Sequence, residues 1–323
     1  MVPVEGGVGP GLDCAVVPTR QEGISLVSTI DFFYPLVLDP YMQGKIGCAN
    51  VLSDLYAMGC YHCDNMLMVL AASDDMTPSC RAIVTQEMIR GFADLAKEAE
   101  TIITGGQTVL NPWPIIGGVA QSVEKATDII MPENLVAGDV MILTKPLGTQ
   151  LAVNLAEWLR DSKTRPHNNR YAKVASIVSP EEAVTAYKVA ERSMARLNRT
   201  GAKLMHKYKA HGCTDVTGFG ILGHANNLAE MQHADVDIVL HSVPIIRGMD
   251  AIDGKVHDFR LVQGYSAETS GGLLIALPSK EAAEAFIAEI EAIDGEKAWI
   301  IGDVVAGKKT GRMVAEPVVI PVD

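Results

Sequence analysis

Apolar runs of strand length alternate with segments of helical spacing along the chain, and this alternation limits the folds that it can adopt. The predicted strands cover residues 24–30, 65–72, 115–123, 140–144, 236–240, 273–277, 298–305 and 318–322. The predicted helices cover residues 43–58, 78–100, 148–159 and 280–293, with further helices after residues 180 and 218 and an exposed loop at 160–170. Interleaved strands and helices of this kind predict an α/β or α+β fold.

A turn-rich stretch at residues 132–139 predicts where the chain divides into domains. It contains Pro-Glu-Asn followed by Ala-Gly-Asp. With 323 residues the chain is long enough to build two hydrophobic cores. We therefore expect an N-terminal domain at residues 1–137 and a C-terminal α/β domain at residues 138–323.

Charge and composition argue against several classes of function. The 39 acidic and 27 basic residues give a net charge of −12, and no basic run is long enough to reverse it, which argues against nucleic-acid binding. No apolar run reaches the length of a bilayer, so no membrane partner is expected. Six cysteines in a sequence that shows no signal peptide favour a reducing, cytoplasmic location.

Cys60 and Cys63 flank a Tyr-His pair in a spacing typical of half a zinc or redox site. A structural zinc site needs four ligands, and no second Cys-x-x-Cys pair supplies the other two. The better interpretation is a loop with free thiols.

Four aspartates follow small or apolar residues: Asp13, Asp31, Asp54 and Asp215. A carboxylate in such surroundings is costly to bury unless a cation or hydrogen-bond donors compensate it. Carboxylates with nearby glycines are what a Mg²⁺-nucleotide site requires. The alternative is that each aspartate only caps a turn or a helix, and for any single aspartate this alternative is a strong one.

Asp54 is the hardest of the four to explain as a cap. It lies inside the predicted helix 43–58, where aspartate is disfavoured because its side chain competes for backbone hydrogen bonds. Asn50, four residues earlier, shares its face of the helix. A buried ligand role explains Asp54 better than an exposed helix face does.

Two glycine-rich stretches have backbone N–H groups that could approach phosphate. Residues 104–108, Thr-Gly-Gly-Gln-Thr, lie between two predicted strands, and they lack the Gly-Lys-Ser/Thr ending of a Walker A loop. Taken alone, a Gly-Gly pair between strands predicts a turn. Residues 218–223 are predicted to form a tight loop at a helix N-terminus, with Asp215 and Thr217 projecting into a site. They do not follow the strand that a dinucleotide fingerprint requires.

His224 and Glu268 lie beside other glycine-rich segments. A lone histidine is usually a structural residue, so His224 is given no role. Glu268 is predicted to be solvated.

Six segments, taken together and in order, resemble selenophosphate synthetase, in the larger superfamily of aminoimidazole-ribonucleotide-synthetase-like enzymes. They are DFFYP at residues 31–35, NVLSDLYAMG at 50–59, GGQT at 105–108, TKPLG at 144–148, TDVTGFGILGH at 214–224 and ETSGG at 268–272. The resemblance covers nearly the whole chain.

The resemblance implies a transferase that converts ATP, selenide and water into selenophosphate, AMP and orthophosphate. It implies a two-domain fold whose N-terminal half forms a dimer sheet or barrel, and a homodimer with ATP held between the protomers. It also implies Mg²⁺, a stimulating K⁺ and a selenium-delivery protein as a partner.

The same resemblance implies roles for individual residues. Asp13, Asp54 and Asp215 match magnesium ligands, and Asp31 matches a phosphate-side or additional metal ligand. The implied ATP contacts are Gly11, Leu12, Asp13, Asp31, Asp54, Gly105, Gly106, Gln107 and Thr108, with the partner subunit as one source of the last four. The aspartates would bind metal ions and the metal ions the phosphates, so that catalysis is mostly positioning and charge neutralisation.

One part of the family pattern is not found. Family members carry, before the segment that matches residues 9–13, a glycine-rich stretch with a Cys or selenocysteine and a nearby Lys, so no catalytic residue is assigned in this sequence. The sequence is then either a truncated piece of a complete enzyme, the favoured explanation, or a natural variant without selenide chemistry. In either case we expect weak or no nucleotide binding and little selenophosphate from this polypeptide.

Two other functions stay open. One is another ATP-dependent enzyme of the superfamily, such as aminoimidazole ribonucleotide synthetase or thiamin-phosphate kinase. The other is a non-catalytic partner or regulator of selenium metabolism, which would dimerise without hydrolysing nucleotide.

Overall fold

The computed structural model of the protein describes residues 13–165, 167 and 169–323. The chain divides into two compact units: unit 1 is Met1–Pro132 with Ala195–Thr214, and unit 2 is Glu133–Met194 with Asp215–Asp323. The domain boundary at residue 137 stays a prediction. Gly11 and Leu12, two of the predicted ATP contacts, lie outside the described residues.

Unit 1 is a sheet with helices on one face. Its elements are β1 (Ala15–Pro18), β2 (Ile24–Phe33), α1 (Pro40–Ala57), β3 (Asn65–Ser73), α2 (Pro78–Glu98), β4 (Ile103–Asn111), β5 (Ile115–Lys125) and α5 (Arg199–Lys207). The sheet order is β1-β2-β5-β3-β4, antiparallel except for the parallel pair β3 and β4. The face that carries α1 is the inner face, and the opposite face is the outer face.

The core of unit 1 surrounds α1. Asp39 caps this helix by accepting a hydrogen bond from the backbone N of Tyr41 at 2.9 Å, and Pro40 occupies the first helical position, where its missing N–H costs nothing. Leu52 and Leu55 of α1 and Phe92 of α2 are fully buried. Helix α1 therefore has a fixed orientation over the sheet.

Unit 2 contains the second sheet. Its elements are β6 (Val140–Leu143), α3 (Thr149–Thr164), α4 (Pro180–Ala195), α6 (Gly220–Glu230), β8 (Val236–Ile246), α7 (Met249–Ile252), β9 (Leu273–Leu277), α8 (Lys280–Asp294), β10 (Trp299–Ala306) and β11 (Gly311–Val322). The sheet order is β11-β8-β10-β6-β9-β7, where β7 (Gly212–Asp215) is the strand at which the two units divide. Strands β6 and β9 are buried along their whole length.

The mixed α/β fold predicted from the sequence is confirmed, but several local predictions are wrong. The turn expected at residues 104–108 is part of β4, and Asp215 ends a strand rather than lying in a loop. Helix α3 continues to Thr164, into the loop expected at 160–170. Strand β1 and helix α5 were not predicted as separate elements.

Close strand packing explains the misread turn in β4. A Cβ atom on Gly106 would lie 1.9 Å from the carbonyl oxygen of Met68 on β3, and Gly106 has a φ of 147°. The glycine is needed because two strands approach closely, not because the chain reverses. Among the described residues, we find no helix that is long and apolar enough to cross a membrane.

Candidate functional site

Asp13 and Asp54 meet in unit 1. Asp13 lies two residues before the first strand, and Asp54 projects from α1; both are half-buried. One carboxylate oxygen of each lies within 4.8 Å of the other. Two carboxylates this close repel one another unless a cation or donors lie between them.

Two threonine hydroxyls hold these carboxylates. The hydroxyl of Thr29 on β2 donates a hydrogen bond to Oδ2 of Asp54 at 2.5 Å. The hydroxyl of Thr214 on β7 donates to Oδ1 of Asp13 at 3.0 Å. Each carboxylate is therefore oriented by a neighbour, as metal-binding carboxylates commonly are.

Two side-chain hydrogen bonds join helix α1 to strand β2. Asn50 and Asp54, four apart on the helix, face Asp31 and Thr29, two apart on the strand. The shared face predicted for Asn50 and Asp54 follows from the helical period, and the strand period brings both partners to the inner face. The pairing fixes helix and strand in register beside the site.

Asp31 lies within β2 rather than after it. Its carboxylate accepts hydrogen bonds from the Asn50 side-chain amide and, at 2.9 Å, from the backbone N of Phe32. Burial raises the pKa of Asp31, and these two hydrogen bonds partly oppose the rise. An opposing cation would favour its charged form.

Residues Gly105–Thr108 lie at the far edge of the same sheet. Asp31 pairs with Gly118 of β5, Gly118 with Met68 of β3, and Met68 with Gly106 of β4. Three strand spacings of about 4.8 Å put Gly106 roughly 14 Å from Asp31 along this row. One protomer therefore does not bring the two segments together across its own sheet.

Asp215 is the last residue of β7 and belongs to unit 2. It directly follows Thr214, the residue that bonds to Asp13, and its own side chain is buried. The next residue, Val216, donates its backbone N–H to the carbonyl of Gly272 at 2.9 Å. The chain leaving Asp215 is thus fixed by the segment that precedes β9.

His224 stabilises the loop that follows Asp215. Its Nε2 accepts a hydrogen bond from the backbone N of Thr217 at 2.9 Å, so that nitrogen carries no proton. Burial lowers the pKa of His224 to about 4, which keeps the ring neutral. The histidine acts as a structural acceptor here.

Glu268 is buried, and the prediction that it is solvated is wrong. Its carboxylate accepts hydrogen bonds from the backbone N of Gly148 at 2.6 Å, from the backbone N of Thr149 at 3.0 Å and from the Thr149 hydroxyl. It caps α3 from 119 residues away, which no local pattern could reveal. Burial raises its pKa to about 7, while these hydrogen bonds act in the opposite direction.

Lys145 belongs to the same buried network in unit 2. Its side chain is 1% exposed, and Nζ donates to the carbonyl oxygen of Ser270 at 2.8 Å. The segments TKPLG (144–148) and ETSGG (268–272), two of those that carry the family resemblance, are therefore joined through the buried side chains of Lys145 and Glu268.

Cys60 and Cys63 are buried free thiols. Burial raises the pKa of Cys60 to about 12 and also raises the pKa of Cys63. Thiols held in the protonated form are poor nucleophiles and poor metal ligands. These environments favour the loop interpretation of the Cys-x-x-Cys spacing.

The threonines are the residues that sequence reasoning missed. Thr29 lies in the predicted strand 24–30 and Thr214 opens the segment 214–224, but nothing in the sequence marks their hydroxyls as partners of Asp54 and Asp13. Only the packing of β2 and β7 reveals them. Together these groups form a carboxylate and hydroxyl site of hard oxygen donors, which suits Mg²⁺ better than a soft metal.

Comparison with known families gives two matches that cover most of the chain. The model described as AIR synthase related protein, N-terminal domain, matches residues 11–123. The model described as AIR synthase related protein, C-terminal domain, matches residues 136–315.

Among curated proteins, the chain is 53% identical to selenide, water dikinase 2 of Homo sapiens, over 99% of this chain and 70% of that protein. It is 50% identical to selenide, water dikinase of Dictyostelium discoideum, over 98% of this chain and 87% of that protein.

Solved structures with the same fold are more distant. Thiamine monophosphate kinase from Aquifex aeolicus has a TM-score of 0.67 at 18% identity, covering 95% of this chain and 92% of that one. The hydrogenase maturation protein HypE in complex with ATP has a TM-score of 0.66 at 16% identity, covering 94% and 86%.

Proposed function

This chain belongs to the selenide, water dikinase family within the AIR synthase related proteins, and we propose that its aspartates hold Mg²⁺ for the ATP chemistry of that family. The reaction is the synthesis of selenophosphate, in which ATP, selenide and water give selenophosphate, AMP and orthophosphate. The observation that carries the site assignment is the close approach of the Asp13 and Asp54 carboxylates, each held by a threonine hydroxyl.

The donor set fits Mg²⁺. Asp13 and Asp54 supply hard carboxylate oxygens, and we assign Asp215, one residue beyond the Thr214 that bonds to Asp13, as the third ligand. When bound, Mg²⁺ supplies charge neutralisation for the phosphate groups of ATP. Asp31 is assigned as an additional metal or phosphate-side ligand.

The protein's own groups orient the site. Thr29 and Thr214 fix which oxygens of Asp54 and Asp13 point toward the ligand, and Asn50 fixes Asp31. Preorganised ligands of this kind need no rearrangement when the nucleotide arrives. Phosphoryl transfer relies mainly on such positioning, since the protein has little covalent chemistry to perform.

We propose that the protein is a homodimer in which a second copy covers the outer face of unit 1. This face is apolar and exposed: Ile30 is 62% exposed, Phe32 56% and Val123 54%, and Val109 of β4 is 50% exposed. A contiguous apolar surface on a sheet of this size is typical of an interface.

The register of the sheet supports a shared ATP site in that dimer. Gly105–Thr108 are assigned as ATP contacts, yet in one protomer Gly106 lies roughly 14 Å from Asp31 across the sheet. We therefore assign Gly105–Thr108 to the ATP site of the partner subunit in that dimer. Gly11 and Leu12 complete the proposed ATP contacts.

Three further assignments stay predictions of the same proposal. A stimulating K⁺ is checked by replacing potassium salts with choline salts during turnover. A selenium-delivery protein as partner and a cytoplasmic location are the other two, the latter resting on the cysteine content.

Phosphorus NMR of the protein with ATP, Mg²⁺ and selenide tests the function directly. When the family's glycine-rich segment with its Cys and Lys is present, we expect a selenophosphate resonance together with AMP and orthophosphate in equal amounts; from this polypeptide alone we expect little selenophosphate. Conversion of ATP to ADP that depends on thiamin monophosphate or on an aminoimidazole precursor, without selenophosphate, would assign another activity of the superfamily. ATP left intact with every acceptor, by a folded dimer that carries the same segment, would support the non-catalytic alternative.

A further inference from the structure

One segment of this acidic protein is strongly basic. Between residues 196 and 214 the sequence contains five lysines and arginines and no aspartate or glutamate, in a chain of net charge −12. Helix α5 forms the centre of this segment, and its residues Lys203, His206 and Lys207 are exposed, as is Lys209 just beyond it. The local charge is therefore opposite to that of the whole molecule.

The basic helix lies against the loop between Cys60 and Cys63, a motif that the proposed function leaves without a role. The Tyr61 ring lies 4.5 Å from the His62 ring and 5.7 Å from the His206 ring, measured between centroids. The Lys203 ammonium lies 5.7 Å from the centre of the same ring. Tyr61, His62, Arg199, Lys203 and His206 together form what we call the Tyr61 patch.

Hydrogen bonds between the loop and the helix hold the Tyr61 patch in place. The guanidinium of Arg199 donates to the backbone carbonyl of Tyr61 at 3.0 Å, and Nε2 of His206 donates to the carbonyl of Gly59 at 2.8 Å. Because a carbonyl can only accept, Nε2 carries the proton and Nδ1 is the second polar atom of the ring. Loop and helix are thus joined at both ends of the aromatic cluster.

A carboxylate already lies at the edge of this patch. Glu100 accepts a hydrogen bond from Arg199 at 2.5 Å, and Arg199, with smaller contributions from Lys203 and His62, holds the pKa of Glu100 below its ordinary value. The surroundings therefore favour the charged form of a carboxylic acid. Glu100 pairs with Arg199, whereas the exposed Lys203 lies against the Tyr61 ring.

We propose that the Tyr61 patch and the adjoining Lys207 and Lys209 form a docking surface for a short acidic segment of a partner protein. Positive charge on the patch attracts such a segment and orients its approach. A long polyanion such as RNA would extend beyond the patch onto the negative remainder of the molecule, whereas a segment the length of α5 would not. The chemistry therefore favours an acidic peptide.

This surface is separate from the interface proposed for a second copy. Helix α5 contacts α1, which lies on the inner face of the unit 1 sheet, while the proposed dimer uses the outer face. The patch therefore stays accessible in that dimer. The inference does not rest on the selenophosphate activity or on the metal assignment.

Fluorescence anisotropy with a labelled peptide of about ten glutamates, long enough to span α5, tests the proposal. We expect the peptide to bind the wild-type protein and to bind more weakly as ionic strength rises. The double variant Lys203→Glu and Lys209→Glu should bind at least about tenfold more weakly, with an unchanged melting temperature. The control is Lys173→Glu with Lys280→Glu, the same change in net charge at exposed sites of unit 2.

Three results would overturn the proposal. The first is that the peptide does not bind the wild-type protein. The second is that the control variant loses as much affinity as the double variant. The third is that an oligouridylate of equal charge binds more tightly than the peptide and displaces it. The last result would assign the patch to RNA.

Discussion

The hydroxyl of Thr29 donates a hydrogen bond to the carboxylate of Asp54 at 2.5 Å, and it links strand β2 to helix α1 at the proposed metal site. An aspartate inside a helix gains such a partner only when a neighbouring strand presents one. The hydrogen bond selects one orientation of the carboxylate. Thr29 is therefore a positioning residue for the metal ligand.

Replacing Thr29 with valine keeps the shape of the side chain and removes this donor. We expect the Mg²⁺ concentration that gives half-maximal ATP turnover to rise about tenfold, as is typical when a partner of a metal ligand is lost. Titration of Mg²⁺ at saturating ATP measures this. The Thr29→Ser variant retains the hydroxyl and should restore the wild-type value; equal defects in both variants would refute the role of the hydrogen bond.

Placing a charge on the outer face should separate the proposed dimer. In the Ile30→Glu variant the carboxylate would be buried in the interface, which is unfavourable without a cation. Sedimentation velocity should show a shift from dimer to monomer at micromolar concentration. Ile83 on α2 is exposed to the same degree, 63% against 62%, so Ile83→Glu is the matched control and should leave the dimer intact.

Glu268 should make stability depend on pH. Its pKa is raised from 4.5 to about 7, so between these values the folded protein binds more protons than the unfolded chain. Stability should then fall as pH rises from about 4.5 to 7, by at most about 1.4 kcal/mol per pH unit. Melting temperatures of wild type and Glu268→Gln should differ in slope across this range. Parallel pH profiles would show that Glu268 is already ionised at the low end of the range.

The crossing of α1 and α2 should tolerate no side chain at Gly91. A Cβ atom there would lie 1.9 Å from the carbonyl oxygen of Tyr41, so Gly91→Ala must push the helices apart. We expect a loss of about 2 kcal/mol, although alanine is the better helix former. Gly218→Ala, where a Cβ would meet nothing within 4 Å, should change the free energy of unfolding far less. A higher free energy of unfolding in the Gly91→Ala variant would contradict the close contact between α1 and α2 at this position.

The sequence predicts this fold where period and burial agree. The helical spacing in α1 and the apolar run of β3 are clear because both elements bury residues in one core. The helical period of α1 also puts Asn50 and Asp54 on one face, where Asp31 and Thr29 of β2 are their hydrogen-bond partners.

Prediction fails where long-range contacts decide. The glycines of β4 indicate a turn, yet they serve an exposed edge strand pressed against Met68. Glutamate is a residue type that is usually solvated. Glu268 is nevertheless buried, because the N-terminus of α3, distant in the sequence, needs hydrogen-bond acceptors. Neither partner is close in the sequence.

The central claim is that Asp54 binds the metal ion required for ATP turnover. The Asp54→Asn variant, made in a protein that carries the family's glycine-rich segment with its Cys and Lys, tests this claim most directly. The side chain keeps its size and loses its charge, so the fold and the dimer should persist while Mg²⁺-dependent selenophosphate formation, followed by phosphorus NMR, falls at least about a hundredfold, or ~2.7 kcal/mol. Asp75→Asn, on an exposed loop, should retain full activity. Full activity of a folded Asp54→Asn protein with an unchanged Mg²⁺ requirement would contradict the claim.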